Sequence, residues 1–180
     1  MAQAHQKRSS PNQIWSPPPD GWLKINTDAA FANGKSTSGI ILKNKNGSIV
    51  LAATYAHDCP DATTAECLAI LDACNLAQNH QIKKASFSSD CLIAVTCINN
   101  NPNTSYWTAN PVVEKIKRSW SNWPFWSFVY TNRSANSAAH SLAHWGVSSL
   151  FVGEIPLDSV PISVFCDLGF PIVDSICNSV

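Results

Sequence analysis

The stretch KINTDAAFANGKSTSGIIL, residues 24–42, carries an aspartate inside what otherwise reads as a β-strand. Leu23, Ile25 and Thr27 fall on one face of a period-two pattern, and Trp22, Lys24, Asn26 and Asp28 fall on the other. Asp28 therefore projects from a sheet, and a carboxylate there needs a partner. For a lone aspartate the plain reading is a strand-end residue opening the turn at Asn33–Gly34. The rest of the chain decides between the two.

Three strand-like runs open the chain, Trp22–Asp28, Ser38–Lys43 and Ser48–Ala56, separated by the turn signals ANGK and NKNG. Turns this short make antiparallel neighbours. From Asp61 the period changes: DATTAECLAILDACNLAQNH is rich in Ala and Leu and reads as one helix capped near Asp61 or Thr63. KKASFSS then reads as a strand and DCLIAVTCINN as a short helix stopped by Pro102. NPVVEKIKRSW reads as a helix with Asn110 as cap, FWSFVYT as a strand and ANSAAHSLAHWG as a last helix. The order βββαβα(α)βα predicts an α/β fold with one mixed sheet, its helices on the faces.

Such a sheet places Asp28 on a central first strand, Glu66 in the first turns of the first helix, and Asp90 at the end of the fourth strand. Sites in open sheets gather where the strand order reverses, here between the first and fourth strands. Three carboxylates brought together repel one another and stay ionised only with cations among them. Hard oxygen donors suit Mg²⁺ or Mn²⁺.

The chain has 180 residues, 45% hydrophobic and 13% charged, which is enough apolar material for one core. The organisation expected is a polar, Pro-rich segment at 1–20, a domain at 21–150 and an aperiodic extension at 151–180 that lies over the domain surface. Formal net charge is zero and the pI about 6.9, so no global field draws the molecule to nucleic acid or a membrane. No run reaches the roughly 18 apolar residues of a membrane span. The expectation is a soluble, intracellular monomer of nucleus or cytoplasm, not secreted. The seven cysteines form no C-x-x-C pair and read as reduced, mostly buried residues, which argues against a zinc or thiol enzyme.

Four blocks, WSPPPDGWLKINTDAAF, TTAECLAILDAC, FSSDCLIAVTCIN and NRSANSAAHSLA, resemble in order and spacing the signature blocks of the ribonuclease H-like domain. The likeness is to the reverse-transcriptase-like branch of plant non-LTR retroelements and their stand-alone relatives, and it covers roughly Trp15 to Gly146. It implies a five-stranded sheet and a D-E-D-D metal site, with Asp28, Glu66 and Asp90 matching the first three acids. The fourth position departs from the pattern and holds His140. Neutral imidazole ligates divalent metals but prefers softer ions than Mg²⁺.

The resemblance implies hydrolysis of the RNA strand of an RNA–DNA hybrid by two-metal catalysis with Mg²⁺ or Mn²⁺. Asp28 would bridge the ions, Glu66 and Asp90 would each hold one, and His140 would assist the activating ion. Backbone groups and polar side chains near Asn33 and Asn136 would read 2′-hydroxyls, and Arg133 is the charged residue offered before the last helix. Lys115, Lys117 and Arg118 form a basic face that reads either as solvated or as a phosphate-contacting handle. The competing reading is a retroelement-derived remnant that binds nucleic acid or protein without turnover, favoured by the missing fourth acid. Trp120, Trp123 and Trp126 read as a packed cluster ahead of a base-stacking platform, His144 as surface, and Asp72 as solvated.

Overall fold

The computed structural model describes residues 15–100 and 107–166. Strands β1 (Leu23–Ala32), β2 (Lys35–Lys43) and β3 (Ile49–Asp58) lead into α1 (Ala62–Asn79), β4 (Lys84–Ser89), α2 (Leu92–Asn99) and α3 (Asn110–Trp120). Then come β5 (Phe125–Tyr130), α4 (Arg133–Ser149), β6 (Gly153–Ile155), a 3₁₀ turn at Leu157–Ser159 and α5 (Ile162–Cys166). The sheet runs β5-β4-β1-β2-β3-β6, with β1 antiparallel to β2 and parallel to β4. β1 is thus the strand at which pairing changes sense.

Two differences from the expected architecture have physical causes. The sheet has six strands: Gly153–Ile155 pairs antiparallel with β3 and covers that edge, and three residues are too few to show a period. β1 also continues past Asp28 to Ala32, because the connection to β2 is a two-residue hairpin at Asn33 (φ 52°) and Gly34 (φ 74°). Both residues at positive φ make this a primed turn, which suits Asn-Gly and follows strand twist. Asp28 therefore lies in mid-strand and not at a strand end. The Pro102 helix stop lies outside the described residues, as do the outer parts of both terminal segments.

The two faces of the sheet are filled differently. Ile25, Ile40, Leu42 and Phe87 pack against α1, α2 and α3 through Ile70, Leu76, Ile98, Val113 and Ile116. The tryptophans belong to this side: Trp123 stacks on Trp126, Trp120 meets Phe128 edge-on, and the Trp126 indole donates to Ile82 O at 2.9 Å. They pack on and close this core. On the other face Ile41, Ala52, Leu142, Ile155 and Val164 form a smaller core under α4 and α5. α4 comes close because β2 has Gly39 beneath it, where a Cβ would collide with Ala139 O and the Ala143 backbone. Gly39 is the register partner of Asp28, so this contact sets α4 directly beside that carboxylate.

α1 starts where expected, with the Asp61 side chain accepting from Thr64 N at 2.7 Å. No helix among the described residues is long and apolar enough to cross a membrane.

Candidate metal centre

The parallel pairing of β1 with β4 brings Thr27 opposite Ser89, so the residues that follow, Asp28 in β1 and Asp90 just past β4, lie level at the reversal of strand order. Glu66, in the second turn of α1, completes the group: one carboxylate oxygen from each of Asp28, Glu66 and Asp90 lies within 4.8 Å of the others. The three convergent acids expected from the sequence are thus together.

Their electrostatics describe a site short of positive charge. Asp28 is only 4% exposed, and burial, with Asp90 adding to it, pushes its carboxyl up to about 6 against the pull of His140. Burial, Asp28 and Asp90 push Glu66 up to about 9, against the Ala29 N–H and Arg133. Glu66 Oε2 is buried with no hydrogen-bond partner. A buried acceptor without a donor is costly. An oxygen left over in a cluster of hard anionic donors is what a divalent cation would fill, so the residues present fit Mg²⁺ or Mn²⁺.

His140 stands beside this group. Its Nδ1 lies 2.7 Å from Asp28 Oδ2 and its Nε2 lies 3.2 Å from Arg133 Nη2. His144, exposed as expected, meets the His140 ring edge-on at 4.5 Å between centroids.

A chain of amides supports the cluster from below. The Trp15 indole donates to Asn26 Oδ1 at 3.3 Å, and Asn26 Nδ2 donates to Asn136 Oδ1 at 3.0 Å. Asn136 Nδ2 donates in turn to Thr27 O at 2.9 Å and Asp90 Oδ1 at 3.0 Å. Asn136, 1% exposed, spends both polar atoms inside the protein, where it is a strut of the site. Sequence reasoning missed Trp15 and Asn26 because nothing local signals an indole that reaches across 11 residues.

The other expected binding residues are dispersed. Asn33 is exposed at the hairpin tip. Lys115, Lys117 and Arg118 lie on α3, which packs on the face opposite α4; Lys117 Nζ bonds Asn100 O at 2.9 Å, and Arg118 Nε bonds Glu114 O at 3.3 Å. Asp72 is not solvated: it is buried and accepts from Ser38 Oγ at 2.6 Å, with His57 Nε2 at 2.7 Å.

A family profile described as reverse transcriptase-like matches residues 26–146. No curated protein matches the chain. Among solved structures, the crystal structure of RNase H1 from the archaeon Halobacterium salinarum NRC-1 is 16% identical, covers 71% of this chain and 98% of its own, and superposes with a TM-score of 0.66. The N-terminal RNase H domain of Mycobacterium tuberculosis rv2228c, solved as a fusion with maltose-binding protein, is 14% identical over 71% of this chain and 94% of that one, with a TM-score of 0.64. LC11-RNase H1, a compost metagenome protein, was solved in complex with RNA/DNA hybrid; it is 16% identical over 71% and 98% of the two chains, again at 0.64. At such identities the structures speak for the fold, which is ribonuclease H-like. With its strand order, its level pair of aspartates and a profile match over most of its length, this chain belongs to the reverse transcriptase-like family.

Proposed function

We propose that this protein is a divalent-metal-dependent ribonuclease acting on the RNA strand of RNA–DNA hybrids. The observation that carries the reading is the convergence of Asp28, Glu66 and Asp90, together with a buried Glu66 oxygen that has no hydrogen-bond partner. The likeness in fold to an RNase H1 solved with RNA/DNA hybrid supports the substrate class. Asp28, Glu66 and Asp90 would hold the cation, which would supply Lewis-acid stabilisation of the phosphate and a nucleophilic water at neutral pH. Asn136 holds Asp90, and His140 holds Asp28, in the orientation the cluster needs.

The test is cleavage of an end-labelled RNA–DNA hybrid by the purified chain with Mg²⁺ or Mn²⁺, beside the same sequence as a DNA duplex. Metal-dependent loss of the RNA strand alone is expected; no cleavage with either ion, by protein that binds the ion, would overturn the reading. A nucleic-acid-binding remnant without turnover is the second reading. His140, where the resemblance places a fourth acid, favours it, and it predicts hybrid binding with no product.

A further inference from the structure

Arg133 and His140, seven residues apart on α4, stand at the edge of the carboxylate cluster. A guanidinium nitrogen only donates hydrogen bonds. At 3.2 Å from Arg133 Nη2, His140 Nε2 is therefore the acceptor, and in the neutral ring the proton sits on Nδ1, 2.7 Å from Asp28 Oδ2. An imidazole binds a cation through a lone pair. Here the lone pair points at Arg133, and the atom facing Asp28 carries hydrogen.

For His140 to serve as a ligand beside Asp28, the proton would have to move to Nε2, where N–H would face the Arg133 donor. Among the described residues the group with metal-ligand spacing contains Asp28, Glu66 and Asp90, and His140 is not in it. We propose that Arg133 locks His140 in its Nδ1–H form, making the pair positioning residues for Asp28, and that the cluster takes a single divalent ion. The inference rests on the metal-site reading above. The positive charge on the α4 side of the cluster is then the guanidinium, which also draws on Glu66.

Two-bond ¹H–¹⁵N correlation of imidazoles in the full chain, in mildly alkaline solution, reads the tautomer directly. Nδ1–H is expected without Mg²⁺ and with saturating Mg²⁺, and calorimetry should count one Mg²⁺ per chain. His140→Asp should raise the count to two. In Arg133→Met the guanidinium no longer opposes Nε2–H, so Zn²⁺, which seeks imidazole, should draw His140 onto the ion at a concentration about ten- to a hundredfold below that needed in wild type, the equivalent of one charged hydrogen bond. An Nε2–H tautomer in wild type, two ions per wild-type chain, or equal Zn²⁺ demand in wild type and Arg133→Met would overturn the inference while leaving the metal site standing. No ion on wild type would overturn the single-ion inference and the functional reading together.

Discussion

Two aspartate–histidine pairs, each with a buried aspartate, occupy opposite faces of the same sheet. His140 lies 2.7 Å from Asp28 on the α4 side, and His57 lies 2.7 Å from Asp72 on the α1 side. Both aspartates are at least nine-tenths buried. Their surroundings differ. Asp72 also accepts from Ser38 at 2.6 Å, and among the described residues it is in no group of three with metal-ligand spacing. Asp28 has Glu66 and Asp90 within metal-ligand distance and a buried oxygen left without a donor. A buried acid with a histidine is thus not in itself a site; unfilled acceptor capacity among converging acids is what separates the two.

The largest expected effect breaks the pairs apart. Asp28→Asn removes a charge but almost no volume, and should lower hybrid cleavage by about a thousandfold or more and weaken Mn²⁺ binding, with thermal unfolding near that of wild type. Asp72→Asn should keep ion binding and cleavage and instead cost about 1–3 kcal/mol of stability, since Ser38 and His57 lose a charged acceptor. Loss of ion binding in Asp72→Asn at unchanged stability would erase the distinction.

Gly39→Ala probes the geometry that makes the Asp28 pair. A Cβ at position 39 meets the α4 backbone, so the variant should lose about 1–3 kcal/mol, with overpacking as the cause. Shifted imidazole resonances are expected for His140 and none for His57. Equal shifts at both histidines would show that α4 does not position the first pair.

The pH dependence of stability separates the pairs again. Glu66, pushed from 4.5 to about 9, and Asp28, pushed from 3.8 to about 6, bind protons more tightly folded than unfolded. The stability their protonation lends the native state is fully present below about pH 4 and is lost as pH rises, through about 6 for Asp28 and about 9 for Glu66. Metal-free protein should therefore unfold more easily at alkaline pH, and saturating Mg²⁺ should reverse the trend by binding the deprotonated acids. Urea midpoints across this range, with and without Mg²⁺, measure it. A flat metal-free profile would contradict the charge-poor description of the cluster.

The smallest effect belongs to His57, whose imidazole the Asp72 hydrogen bond holds above its usual 6.5. This contribution is fully present below pH 6.5 and is lost as pH climbs through the raised folded value. His57→Gln should cost about 1 kcal/mol in mildly acidic solution and less in alkali. A penalty that grows with pH would reverse the sign and refute the pairing.

How much of this could be read beforehand depended on how local each signal was. Asp28 stood out because it interrupts a period-two strand, and Asn33–Gly34 named its own turn. Asp61 announced α1 because a cap is a two-residue event. Asp72 was misread because its partners, Ser38 and His57, lie 34 and 15 residues away and meet it only once β2 and β3 are in register. The Asn26–Asn136 bridge spans 110 residues and rests on the same kind of pairing. β6 was missed because its partner strand, not its own pattern, makes it a strand.

The most direct test is an anomalous difference map from crystals of the full chain soaked in Mn²⁺. A manganese peak about 2.1 Å from oxygens of Asp28, Glu66 and Asp90 is the result expected, with Glu66 Oε2 among the ligands. Well-ordered carboxylates around a site without manganese, or manganese bound at Asp72 in preference, would contradict the assignment of this cluster as the metal centre.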